Sequence, residues 1–189
     1  DAFVRHFPKD AHTGLARETA GTLRQMVAED REHSQHPPKP FVQMTKKEKI
    51  AELIFQLREQ NGKQFMQPGW CDIFMVDRGE KSPASQLVTM GFDAVPALIA
   101  SLNDNRLTRS VGFWRNFTFS HQVLSVGVAS KTILERITGH RFEGKGGEDI
   151  KQKAHAWWAD VQRRGEKQIL QEAVSTGGDG AGEQAERLA

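Results

Sequence analysis

Read from the N-terminus, the apolar positions fall into helical spacing, lose it, and recover it. Phe3, Val4 and Phe7 lie in an arm over residues 1–10 and are available to pack against a body. Ala16, Ala20, Leu23 and Val27 then recur at helical spacing. They predict a helix over about 11–33, with Arg17, Arg24, Glu29 and Asp30 on its wet side. Pro37, Pro38 and Pro40 end it in extended geometry. Thr45 and Glu48 stand three apart before the stripe Ile50, Leu53, Ile54 and Leu57. That is a capping box opening a helix, with Asn61 and Gly62 as its stop.

Helical period is lost over 62–81, where Trp70, Ile73, Phe74 and Val76 surround a Pro68–Gly69 turn. A pair of short strands or an ordered loop fits this stretch. Ser82 and Pro83 open a short helix that Gly91 ends in a left-handed conformation. Val95, Leu98, Ile99 and Leu102 form the next buried stripe, with Pro96 in the first turn, where its missing N–H removes no bond. From 107 to 125 the alternation of Val111, Phe113, Arg115, Phe117 and Phe119 predicts a strand or extended loop. Val126, Ala129, Ile133, Leu134 and Ile137 restore the helix up to Gly139. A last stripe, Ile150, Ala154, Trp157, Trp158 and Val161, starts near Glu148 or Asp149, and its continuation past Gly165 to Ile169 and Leu170 is left open. Residues 177–189 are rich in glycine, lack a stripe and are expected to be disordered. The expected organisation is an arm at 1–10, one helical domain at 11–176 and a tail at 177–189.

Composition narrows the function classes. At 189 residues, 38% hydrophobic and 26% charged, the chain has the make-up of a soluble globular domain. No apolar run is expected to approach the roughly 20 residues that span a bilayer, so membrane insertion is not expected. A net charge of +2 gives no global drive toward nucleic acid. The lone cysteine, Cys71, excludes an internal disulfide framework and a cysteine-based zinc site, and a buried inert thiol is its expected role. A chain beginning at Asp1 is expected to be a fragment, an expressed segment or a matured product. Compartment and oligomeric state stay open.

The run Leu87, Gly91, Ala94 to Ile99, Leu102, Asp104 and Arg109 resembles the first helix and turn of a HEAT-type repeat. Val128 to Gly139 resembles the second helix. Ile137 to Phe142, followed by Trp157 and Trp158, is similar to the ending of many bacterial HEAT-like proteins of the phycobilin-lyase type. The resemblance covers roughly 82–158 and departs from the repeat where residues 110–125 intervene before the second helix. It implies a mainly all-α fold: a short HEAT- or armadillo-like stack of antiparallel helices with one or two short extended or β-hairpin insertions. It also implies a scaffold or interaction surface more often than catalysis.

No stretch carries a convincing catalytic set. His33 and His36 are three apart without a third ligand at fixed spacing, and no metal is expected. Residues 144–147 look like a phosphate cradle, but Glu148 and Asp149 stand where a P-loop needs lysine and serine or threonine. Ser120 and His121 are adjacent without a nucleophile elbow. Trp157 and Trp158 could stack a ligand, though their spacing with Ile150 and Val161 points at least one to the core. The best candidates are Arg106, Arg109, Trp114, Arg115 and His121, because arginines among aromatics suit phosphate, carboxylate or base contacts. Arg136 and Arg141 are candidates to lie near this patch, and the plainer alternative has Arg109 pairing with Asp104 to hold the turn while the others are solvated. The expectation is a non-catalytic module with a protein or peptide partner and no cofactor. A nucleic-acid binder resembling HEAT-like DNA glycosylases is the alternative.

Overall fold

The structure, a computed structural model, describes residues 2–59, 63–66, 70–74, 81–116, 118–177 and 181–188. Side chains at 63–66, 70–71, 109, 111–116, 118–122, 181, 183, 184 and 187 lie outside the description. The fold is mainly α-helical with two antiparallel β-hairpin insertions. In order it runs α1 (Ala2–His6), α2 (Thr13–Gln35), α3 (Lys46–Gln56), β1 (Lys63–Met66), β2 (Trp70–Asp72), α4 (Pro83–Met90) and α5 (Val95–Ala100). Then follow β3 (Leu107–Asn116), β4 (Thr118–Ser125), α6 (Val126–Thr138), α7 (Gly147–Arg164), α8 (Glu166–Ser175) and α9 (Ala181–Leu188).

The start of α3 forms as its sequence requires. The Thr45 backbone N–H donates to Glu48 Oε2 at 2.8 Å, and the Glu48 N–H donates to Thr45 Oγ1 at 3.3 Å. The Thr45 backbone and side chain, with Lys39, hold the Glu48 carboxyl down at about 2. Helix α3 ends at Gln56; the expected stop at Asn61 and Gly62 lies outside the described residues.

Two short helices, α4 and α5, run through the centre of the molecule with a 3-10 turn, Gly91–Ala94, between them. Gly91 has φ 61° and ψ −138°, a region essentially confined to glycine, rather than the left-handed helical conformation expected. The whole stretch Pro83–Asn103 is long and apolar enough to cross a membrane by length and composition, which corrects the expectation that no run approaches that length. Asp93 is its one charged residue. Here its apolar side supplies the core: Ala84, Leu87, Ala94, Val95, Leu98, Ile99 and Leu102 join Leu53 and Leu57 of the α3 region, Ile133, Leu134 and Ile137 of α6, and Ala154 and Val161 of α7.

The insertion at 107–125 is a hairpin that opens and closes at one point. Leu107 pairs with Ser125, Val111 with Val123 and Arg115 with Phe119, with a register shift between Leu107 and Val111. At its base the Val126 N–H donates to the Arg106 carbonyl at 2.8 Å and the Gly127 N–H to the Asp104 carbonyl at 2.9 Å. Helices α5 and α6 therefore meet as though the hairpin were absent, and Ser101 Oγ reaches Ser130 Oγ at 2.8 Å beside it.

Three further segments complete the outline. The arm contains α1, because residues 2–6 close one helical turn that continues into the Phe7 N–H bond to the Phe3 carbonyl. The continuation left open past Gly165 is a separate helix, α8, whose Ile169 and Leu170 reach the core. The stretch expected to be disordered carries α9, which packs against α8, with Leu188 against the core.

Candidate functional site

Helix α2 is the longest in the molecule, and none of its side chains belongs to the hydrophobic core. Its one buried residue, Thr13, is folded against the preceding turn through Phe7 and Asp10. Of the stripe expected to bury it, Ala16 and Ala20 are half-buried while Leu23 is 46% and Val27 59% exposed, and Leu15 nearby is 65% exposed. Met26, Glu29 and His33, three and four apart, make the inward contacts instead. Burying more carbon on the other face would leave two acids and an arginine without each other, and burial of unpaired charge is the costlier outcome.

The centre of those contacts is Arg58, immediately after α3, whose side chain is 0% exposed. Its Nη1 donates to Glu29 Oε2 at 2.6 Å, its Nη2 donates to Asp30 Oδ1, and its guanidinium carbon lies 4.0 Å from the centre of the Phe55 ring. Arg106 Nη1 donates to the same Glu29 oxygen at 2.9 Å while its Nε spans both Asp104 oxygens at 3.0 Å. One carboxylate oxygen is thus gripped by two arginines. Burial works to raise the Glu29 pKa, but hydrogen bonds from Arg106 and Gln25 and both arginine charges outweigh it and hold it below its ordinary value. Burial pulls Arg58 down against the opposing effect of Glu29, whereas hydrogen bonding to Asp104 raises Arg106. Arg58 Nε is buried with no hydrogen-bond partner among the described residues. Further along α2, the His33 ring stacks on Phe55 at 4.2 Å and its Nε2 lies 3.6 Å from Glu52.

Of the five residues expected to bind, Arg106 is the one whose side chain is described, and it turns to acids of this chain. It holds Asp104, and the expected pairing of Arg109 with Asp104 lies outside the described residues. Residues Arg109, Trp114 and Arg115 lie on β3 and His121 on β4, opposite Phe113; their side chains lie outside the description, as does that of Cys71. Arg136 lies over the Phe74 ring at 4.4 Å. His33 and His36 diverge, since His36 Nδ1 meets Glu32 at 3.0 Å.

The other candidates behave structurally. Trp157 and Trp158 both stack on Phe92 at 6.2 Å, and the buried Phe142 meets Trp157 edge-on at 5.7 Å. An open pocket of about 410 Å³ lies between the starts of α6 and α7. The acids of the 144–149 segment are engaged there: Asn103 donates to Glu148 at 2.7 Å, and the Lys145 N–H donates to Asp149 at 2.9 Å. A second groove of about 480 Å³ runs beside His33, Pro37, Pro38, Met44, Glu52 and Phe55, next to the arginine centre.

Sequence reasoning missed Arg58 and Glu29. A signal was present: Arg58 follows Ile54 by four and so extends the buried stripe of α3, where a charge demands a counter-ion. Compared with known proteins, the chain matches no family model, no curated protein and no solved structure.

Proposed function

We propose that this protein is a non-catalytic interaction module, HEAT-like in build, that binds a protein partner along the outer side of α1 and α2. One observation carries the reading. Of the eight exposed large apolar residues among those described, five (Phe3, Phe7, Leu15, Leu23 and Val27) fall within the first two helices and the turn between them. Single exposed apolar residues are ordinary, but a cluster on one element is the usual mark of an interaction surface. Phe3 and Phe7 already pair at 5.3 Å between ring centres.

The nucleic-acid alternative is less well supported, because the Arg106 guanidinium is already neutralised by Asp104 and Glu29. The test is affinity capture with the intact protein and with an L23E/V27E variant, followed by reconstitution with the purified partner. Both substitutions sit at exposed positions, so the thermal melt is expected to be unchanged while partner binding falls at least roughly tenfold. A purified partner that binds both forms equally well would exclude this surface.

A further inference from the structure

A 23-residue helix that contributes nothing to the core is held by something else, and here α2 is held inward by polar and ring contacts. Glu29 and Asp30 meet Arg58, Glu29 also meets Arg106, His33 lies on Phe55 and near Glu52, and Met26 Sδ accepts the Leu107 N–H at 3.4 Å. The link to α3 is short and extended: His36 has φ −124° and ψ 69°, Pro37, Pro38 and Pro40 follow, and Pro40 lies at φ −49° and ψ 135°. Such a strap fixes where the helix is attached without packing it down.

We propose that α1 and α2 form a releasable arm whose Glu29–Asp30 pair occupies, in cis, an acceptor site built by Arg58, Arg106 and Phe55 for adjacent carboxylates on a helix. The inference goes beyond the interaction-module reading and stands without it, because it concerns the inner face of α2. The chemistry of the occupant is read from the site. Two guanidinium groups converge on one carboxylate oxygen, the next residue supplies a second carboxylate, and an aromatic ring backs the deeper guanidinium. Arg58 is fully enclosed while the arm is docked. Release takes two carboxylates away from Arg58 and Arg106 and leaves Glu59 and Asp104 beside them, and an acidic helix presented by another protein can replace the two that were lost. In the docked state such a helix must displace the arm, so its apparent affinity is reduced by the fraction of molecules that are open.

The experiment uses the full chain, amide hydrogen exchange and a labelled synthetic peptide of residues 13–35. In the native protein, amides of α2 are expected to exchange at least roughly tenfold faster than those of α6, the core helix. In an E29Q/D30N variant the α2 amides are expected to accelerate a further tenfold or so while α6 is unchanged, because the latch is lost and the core is not. The peptide is expected to bind that variant saturably and roughly tenfold or more tighter than the native protein, and a peptide carrying the same two substitutions is expected not to bind. The E29Q single variant, which keeps the Asp30 contact, is expected to fall between. The proposal is overturned if α2 and α6 exchange in step in the native protein, if the double variant loses α6 protection, or if the peptide fails to distinguish the two proteins. Loss of partner binding in L23E/V27E leaves all these readouts unchanged, so the two readings fail separately.

Discussion

The joint between the hairpin and the helical body can be tested at one atom. A Cβ added to Gly127 would lie 2.4 Å from the Leu102 carbonyl oxygen, 3.0 Å from its carbon and 3.1 Å from the Asp104 oxygen. Ordinary contact begins near 3.4 Å, so the start of α6 must retreat from the turn by about 1 Å (3.4 − 2.4). All three atoms are backbone, and no side chain can rotate away to make room. The same retreat would lengthen the 2.9 Å bond from the Gly127 N–H to the Asp104 carbonyl beyond hydrogen-bonding range. Overpacking of this kind costs about 1–3 kcal/mol and the lost bond about 1 kcal/mol more. The better helix propensity of alanine returns at most about 1 kcal/mol. The net expectation for Gly127→Ala is a destabilisation of about 1–3 kcal/mol, read as a lower urea midpoint at unchanged slope. Gly21 of α2 is the control, since an added Cβ there meets nothing within 4 Å, and Gly21→Ala is expected to be neutral or slightly stabilising. A Gly127→Ala protein as stable as the native one would refute the claim that α6 is seated directly on the 102–104 backbone.

Other outcomes follow from the same contacts. Glu29 binds its proton less readily when docked than when free, so its contribution to holding α2 is full above its ordinary value of 4.5 and is lost as pH falls through its lower docked value. Amide exchange of α2, corrected for intrinsic rates, should therefore rise on acidification, and E29Q should remove the part that belongs to this carboxyl. Phe142→Ala should cost about 3–4 kcal/mol in urea unfolding, because the ring is 1% exposed and packs edge-on to Trp157; a loss under about 1 kcal/mol would show that Trp157 refills the space. Replacing residues 108–124 by a two-residue Asn-Gly turn should leave a cooperatively unfolding helical protein, since Leu107 and Ser125 are already paired across the gap. A dye-binding product without a sharp transition would instead make the hairpin part of the core.

Elements whose signals are local were legible. The capping box of Thr45 and Glu48, the Ser82–Pro83 start, the Gly139 end and the alternation along β3 each depend on residues a few positions apart, and each formed where expected. The insertion looked like a threat to the helical pairing because sequence alone does not show that its two ends return to one backbone pair. That return is a long-range hydrogen-bonding fact, written in the Val126 and Gly127 N–H groups. The break at Gly165 was left open for a related reason: Ile169 and Leu170 keep apolar spacing whether the chain bends or continues, and both reach the core after the bend.

The inner face of α2 was not legible, and the reason is physical. Ala16, Ala20, Leu23 and Val27 form the more apolar stripe, and periodicity alone ranks that stripe as the buried one. A second stripe, Met26, Glu29 and His33, lies on a different side and carries an acid at its centre. Which one turns inward depends on what waits across the gap, and that is an arginine placed by the α3 stripe some thirty positions later. Once Arg58 is enclosed, the molecule needs a carboxylate there more than it needs two further aliphatic side chains covered, because an unpaired buried guanidinium costs several kcal/mol, by order of magnitude, against about 1.5–3 kcal/mol for covering a leucine or valine. The comparison explains why Leu23 and Val27 remain at the surface. It also means that the apolar outer face and the acidic inner face of α2 have one cause: the charge of Arg58 selects the inner face, and the aliphatic side chains are left available to whatever binds outside.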